Sequence, residues 1–391
     1  MFCFKKSNKK NKDKLSTIER DMFFLKDTIV SNYPYPLFHY SAFTLNNAGD
    51  NILVSSLRKS IENTWNFNPN FISQNIKKEL SEQDLYLINK SKGMIIGGGG
   101  LLLKDTNKND ISGWQFPISE KQIDSICTPI SILGIGYNRF RNQEDFDECF
   151  KSNINKLFEK AVFVGIRNNG SIEALKKYLN PTLHDKLSFH PCATTILSKL
   201  YDIKPYQKND SKKIIAFNIA FDRSQMRFGS NIDNILKQIA NVAEKLSKEY
   251  IIKYFVHMES DKEILKYFDD LNINYEVEQL NKGISLEKFM SLYTIPDLVI
   301  GMRGHSQMIP FGCKTPILSI ISHDKMAWFL NDIKLPYGVE ILDENLEEKI
   351  YTKAKYILDN NRKVREEITQ AQDKFFQIIN NNLKYLRTIY E

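Results

Sequence analysis

PDLVIGMRGHSQMIPFG, residues 296–312, passes from the apolar run Leu298–Ile300 directly into Arg303, Gly304, His305 and Ser306. An apolar run this short, bounded by Pro and Gly, reads as a buried strand, and the residues from about Ser306 read as the helix behind it. Strand, turn and helix in succession are the unit of a parallel sheet covered by helices. The chemistry-bearing residues then sit where the strand ends. Gly304 permits a sharp turn, and the free backbone N–H groups of the helix start make an anion site. Arg303 supplies a counter-charge there, and His305 a group that moves a proton. The competing reading is a helix N-terminus with incidental polar residues.

The same grammar extends outward in both directions. PILSII (316–321) is the next strand and is followed by His323, Asp324 and Lys325. Upstream, KIIAFNIAF (213–221) leads into Arg223 and Arg227, and IIKYFVHM (251–258) leads into His257 and Asp261, with helical patterns at 230–250, 260–271 and 285–293 and a strand at 273–278. An arginine at a strand end can clamp phosphate or carboxylate through two parallel hydrogen bonds. His257 also reads as a structural histidine, and Asp261 as a helix-start charge.

The first half repeats the pattern less sharply. A strand from Phe38, the turn Asn46–Asp50 and an amphipathic helix come first; Gly49 allows close approach to a ligand, and Asp50 either caps the helix or accepts bonds from a polyol. GMIIGGGGLLL (93–103) carries Gly97–Gly100, ISILGIGYN (130–138) is another strand, and AVFVGIRNNGSIEALKKYL (161–179) places Arg167 after a strand, with Ser171 starting a helix. Four glycines in a row demand either positive φ or backbone contact with a ligand. They lack the G-x-G-x-x-G spacing and the later acidic residue of a dinucleotide site.

The length, 391 residues with 42% hydrophobic content, predicts two α/β cores. The polar stretch 202–213 reads as the linker, giving domains at 15–207 and 208–391, and the pattern at 361–386 reads as a long terminal helix with Val364, Ile368, Ala371, Phe375, Ile378, Ile379 and Leu383 on one face. Of the net charge of +7, five units lie in residues 1–14, which hold six lysines and one aspartate. That tail reads as disordered, either simply solvated or drawn to an anionic membrane. The nearly neutral remainder argues against nucleic acid. Five scattered cysteines with no C-x-x-C pair point to a reducing, cytoplasmic compartment, and nothing has metal-ligand spacing.

In this order, FHYSAFTLNNAGDNIL, MIIGGGGLLL, ISILGIGYN, FVGIRNNGSIEAL, FVHMESDKEIL and PDLVIGMRGHSQMIPFGCKTPILSIISHDKMAWFL resemble the polysaccharide pyruvyltransferase family over about residues 37–335. The resemblance implies two Rossmann-like domains with parallel sheets facing across a cleft, as in GT-B glycosyltransferases. It also implies transfer from phosphoenolpyruvate to two hydroxyls of a sugar or lipid-linked oligosaccharide of a cell-surface polysaccharide, with no cofactor besides that co-substrate. Carried onto this chain, His305 and Arg303 become catalytic. Arg223, Arg303, Gly304, Ser306, His257 and Lys325 become donor-binding, and Asn47, Gly49, Asp50, Gly98, Gly99 and Arg167 acceptor-binding; the basic tail lies outside the family pattern, and its pull toward an anionic surface would set a cytoplasmic protein at the inner face of the membrane. The chain departs from the pattern at Phe189-His190-Pro191-Cys192, where the family carries Asp-Pro. Two other readings share this architecture in whole or part: a nucleotide-sugar glycosyltransferase and a non-catalytic carbohydrate- or membrane-associated binding protein.

Overall fold

A computed structural model of the chain describes residues 2–43, 47–203, 212–281 and 283–391, with side chains from residue 17 onward except at 51. The first half runs α1 (Phe2–Asn32), β1 (Pro36–Ser41), α2 (Ala48–Thr64), β2 (Asn70–Asn75), α3 (Glu82–Lys90), β3 (Gly93–Leu102) and α4 (Glu120–Ser125). It continues with β4 (Ile130–Tyr137), α5 (Glu148–Lys160), β5 (Phe163–Ile166), α6 (Asn169–Lys176), β6 (Leu187–Phe189) and α7 (Leu197–Leu200). The second half runs β7 (Ile214–Asn218), α8 (Ser224–Phe228), α9 (Ile232–Ser247), β8 (Ile251–Val256), α10 (Leu265–Asp270), β9 (Tyr275–Gln279) and α11 (Leu286–Thr294). Then come β10 (Leu298–Gly301), α12 (His305–Gly312), β11 (Ile317–Ile321), α13 (Asp324–Ile333), β12 (Gly338–Glu340), α14 (Leu346–Asp359) and α15 (Asn361–Tyr390).

Each half is one parallel six-stranded sheet, ordered β2-β1-β3-β4-β5-β6 and β12-β11-β10-β7-β8-β9. The central strands are buried along their whole length because helices cover both faces; β4 and β7 have no exposed residue. The helices carry matching apolar stripes, as on α9, where Ile235, Leu236, Ile239, Val242, Ala243 and Leu246 are buried. Strand order reverses between β1 and β3 in one sheet and between β7 and β10 in the other, which opens a crevice at the carboxyl ends of both. Beneath it the halves share apolar packing: Ala48 and Ile52 of α2 join Ile309 of α12 in one buried cluster.

Some expectations shift. The basic segment read as disordered lies within α1; residues 2–32 contain neither Gly nor Pro, and lysine is a good helix former, so nothing stops the helix there. The domain boundary near 208 falls outside the described residues, as does Asn46. The helix expected at 260–271 starts as a 3-10 turn, Glu259–Ile264. The terminal helix, whose length suits packing back across a domain junction, does reach the first half: Trp65 Nε1 donates to Leu383 O (2.9 Å), Asn382 Nδ2 to Phe189 O (2.9 Å) and Tyr390 Oη to Ser131 Oγ (2.8 Å). Among the described residues no helix is long and apolar enough to cross a membrane.

Candidate active site between the two sheets

A cleft of about 760 Å3 lies between the sheets at the switch points of both. One wall carries Phe43, Asn47, Asp50, Asn75, Lys77, Gly99, Gln115, Asn138 and Arg167; the other carries Asp222, Arg223, Arg227, His257, Arg303, Gly304, His305 and Lys325. Most of these follow or cap a strand's carboxyl end or open the helix behind it; Gly99 lies within β3 and Arg227 within α8.

Its arginines differ in whether they are already paired. Arg303 is held on two sides, with Nε donating to Asp261 Oδ2 (2.9 Å), Nη2 paired with Asp261, and Nη1 2.7 Å from Asp222 Oδ1. Burial opposes its charge, and the Asp261 carboxylate outweighs that and raises its pKa further. Asp261 itself is fixed by the backbone N–H groups of His257 (3.2 Å) and Met258 (3.1 Å) and by Asn218 Nδ2 (3.1 Å). Arg227 donates to Asp222 O and Oδ2 and to Ser322 Oγ. Arg223 has a left-handed backbone (φ 54, ψ 44) and reaches across to Asp105 (2.9 and 2.8 Å) and Thr106 (3.2 Å), bridging the two halves. Arg167 is 6% exposed, and its Nε and Nη2 have no hydrogen-bond partner.

His305 opens α12 beside this unpaired guanidinium. Burial, then the charges of Arg167, His257 and Lys325, push its pKa well below the ordinary histidine value. Burial and then Arg227 and Arg167 do the same to Lys325, whose Nζ donates to Asn138 Oδ1 (2.8 Å) on the opposite wall. Burial raises Asp50 to about 6 against the pull of Lys325 and Arg167. His305 Nε2 faces the Cys192 thiol at 3.8 Å. A side chain at Gly49 would sit 2.6 Å from His305 Cβ and Cγ, so only glycine lets the first turn of α2 meet this ring. His257 is paired through Nε2 with Tyr293 Oη, and burial, then Arg303, lowers it to about 3.

The structure thus gathers most of the sequence-derived residues and separates three from the cleft surface. Gly98 (φ 79) faces Leu53 of α2, Gly49 faces His305, and Ser306 Oγ is spent on Arg303 N (3.1 Å) and O (2.9 Å). Asp50 does not cap α2: Asn47 Oδ1 takes the Gly49 N–H (3.1 Å), and Asn47 Nδ2 donates to Asp50 (3.0 Å). The clamps expected at Arg303 and Arg223 are already ion-paired, which leaves Arg167, Lys77 and Lys325 as the lining cations without a salt bridge among the described residues. Sequence reasoning missed Lys77, Gln115, Asn138, Asp105 and the anchoring carboxylate Asp222; only Asn138, directly after β4, carried the strand-end signal that could have found it. Among the described residues no group of three or more His, Cys, Asp or Glu side chains could hold a metal ion.

Solved structures share the architecture. The S. aureus MnaA–UDP structure superposes with a TM-score of 0.54 at 12% identity over 86% of this chain and 91% of that one. UDP-GlcNAc 2-epimerase from Methanocaldococcus jannaschii gives 0.53 at 12%, over 86% and 98%. The Neisseria meningitidis UDP-GlcNAc 2-epimerase bound to UDP-GlcNAc gives 0.51 at 12%, over 90% and 98%. At that identity they establish the fold, a two-sheet arrangement of the GT-B type, and nothing about ligands. No curated protein matches the chain. The polysaccharide pyruvyl transferase family model, however, matches residues 47–324, from the cap of α2 to the first residue of α13 and so across both walls of the cleft, and the chain belongs to that family.

Proposed function

We propose that this protein uses phosphoenolpyruvate to form a pyruvate ketal on a sugar of a cell-surface polysaccharide or its precursor. In that reaction one sugar hydroxyl oxygen bonds to C2 of the donor while C3 takes a proton. The C2–O bond to phosphate breaks, its electron pair leaving with the phosphate, and a second hydroxyl oxygen of the same sugar bonds to C2. Of the two hydroxyl protons, one balances the proton given to C3 and the other departs with phosphate. No cofactor enters the scheme. The free thiols of Cys127, Cys149, Cys192 and Cys313 support a cytosolic location.

The observation that carries this reading is the buried, unpartnered guanidinium of Arg167 in a cleft that also suppresses the charge of Lys325 and His305. A buried guanidinium that Asp50 offsets only in part, and that lacks hydrogen-bond partners at Nε and Nη2, is costly, so such a site favours a compact ligand of high negative charge. A donor with one phosphate and one carboxylate fits Arg167 together with Lys325, whose charge the incoming anion would restore. His305, neutral in the empty cleft, is suited to accept the first hydroxyl proton and pass it to C3 as imidazolium. Arg303 and Arg223, tied to carboxylates, hold the wall in place instead of gripping the donor. The facing residues Asn47, Asp50, Asn75 and Gln115 supply acceptor contacts.

Melting of the purified protein with phosphoenolpyruvate, and with UDP as comparator, tests the donor. Phosphoenolpyruvate at a hundred times its Kd should add about 2.7 kcal/mol of stability, and Arg167→Met should abolish that gain. A response to UDP alone would instead support a nucleotide-sugar glycosyltransferase. No response to either would remove the donor assignment and favour a non-catalytic binding protein.

A further inference from the structure

We infer that α1 seats this protein on an anionic lipid surface, on the side where the cleft opens. Ile18, Met22 and Leu25 are 56%, 47% and 56% exposed, and their spacing places them on one face of the helix. An adjacent flank is firmly docked: Lys26 is 8% exposed and pairs with Asp84 of α3 at 2.6 Å, and Val30 is buried. The apolar stripe is therefore not a loose end awaiting its own core. Lys5, Lys6, Lys9, Lys10, Lys12 and Lys14 belong to the same helix. Exposed apolar residues combined with a lysine-rich stretch form the composition of a helix that rests at a bilayer interface, the apolar side chains entering the acyl boundary and the lysines meeting anionic headgroups.

The direction of the helix gives the contact its meaning. Three residues link its end, Asn32, to Pro36 at the amino end of β1, and Asn70 at the amino end of β2 bonds Tyr35 O (3.0 Å). A six-residue strand spans about 20 Å and a helix rises about 1.5 Å per residue, so roughly a dozen residues of α1 climb the height of β2. From Asn32 that brings the helix level with Asn75, on the cleft wall, near Arg20 and Asp21. Ile18 and the whole lysine-rich segment then project beyond the carboxyl ends of the sheet, toward the face on which the cleft lies. A second copy of the chain is a poor cover for this surface, since it would bring two sets of six lysines together. Resting on the pyruvyl-transfer reading, the arrangement further favours an acceptor sugar carried on a lipid.

Co-sedimentation of the full chain with vesicles of phosphatidylcholine, with and without phosphatidylglycerol, tests the surface. Wild type should pellet only with the anionic vesicles and be released by salt. Ile18→Ser/Met22→Ser/Leu25→Ser should weaken binding at least about tenfold, and replacing the six lysines by Gln should abolish it. Ile18, Met22 and Leu25 do not line the cleft, so the triple serine variant should keep the wild-type melting temperature and its response to phosphoenolpyruvate. The inference falls if wild type ignores anionic vesicles or if the triple serine variant binds as wild type does. It also falls if that variant turns a wild-type dimer into a monomer, which would assign the stripe to a second copy. Melting on the same samples separates the two proposals: lipid binding without a phosphoenolpyruvate response overturns only the donor, and the reverse pattern overturns only the surface.

Discussion

Arg167 and Arg303 stand in one cleft with opposite energetics. Arg303 is embraced by Asp261 and Asp222; Asp222 keeps Arg227, but Arg303→Ala leaves the buried Asp261 carboxylate without its counter-charge and should cost about 3–5 kcal/mol in urea unfolding. Arg167 has no such partner, and Arg167→Met should leave the unliganded protein as stable as wild type or more so while ligand stabilisation is lost. Equal destabilisation by both changes would contradict this division. A second consequence concerns protons. Lys325 and His305 are held below their ordinary pKa values by burial and neighbouring cations, and a bound dianion offsets both influences, so phosphoenolpyruvate binding should draw protons from solvent. Titration calorimetry in two buffers of different ionisation heat reads this directly; proton release would count against the assignment. The sequence made each of these arginines visible as a cation at a strand end. It did not reveal which one was free, because Asp222 and Asp261 reach Arg303 from other loops and no local pattern announces that pairing.

At the scale of elements, α12 is pinned between domains at both ends. Its first residue lies against Gly49 of α2, and Gly312 lies against the backbone carbonyl of Thr194, so closely that any side chain there overlaps it. The two glycines should fail differently. Gly312→Ala meets rigid backbone and should lower stability by about 1–3 kcal/mol. Gly49→Ala meets His305 from its Cβ outward, so the start of α12 must shift and carry the ring with it, and the change should cost roughly tenfold or more in kcat on top of a loss of stability. Chemical denaturation alongside steady-state kinetics separates the cases, and identical profiles would refute the distinction. The long central strands were legible because burial on both faces writes an unbroken apolar run, as in IIAFN and ISILGIGY. Three edge strands were not: β2 is half-exposed NFISQN, and β6 and β12 are three residues each, too short and too open to impose a pattern.

For the whole molecule, the histidines set the acid limit. His39 and His257 are lowered to about 3, His190 to about 4, and His305 and His323 well below 6.5, burial being the largest cause in each case. Below pH 6.5 the unfolded chain binds protons at these five sites that the folded chain refuses, until about pH 3–4 at His39, His190 and His257. Stability must therefore fall with pH across that window, by up to about 1.4 kcal/mol per pH unit for each site. Asp50 and Asp332, raised to about 6, act in the opposite sense, two sites against five. Urea midpoints at pH 7 and pH 5 should show the drop, and an unchanged midpoint would mean that these rings are hydrated. The sequence, with six histidines, gave no hint that five would be buried, since burial is a property of the assembled sheets.

The helix that ends at Tyr390 also bears on how the chain becomes a molecule. Trp65 and Ser131 wait for partners at Leu383 and Tyr390, 318 and 259 positions downstream. During synthesis, β7 to α14 emerge from the ribosome before those partners do. The domain translated first is thus the one finished last, exposing an unfilled aromatic seam to chaperones or to neighbouring chains for as long as translation of the second domain takes.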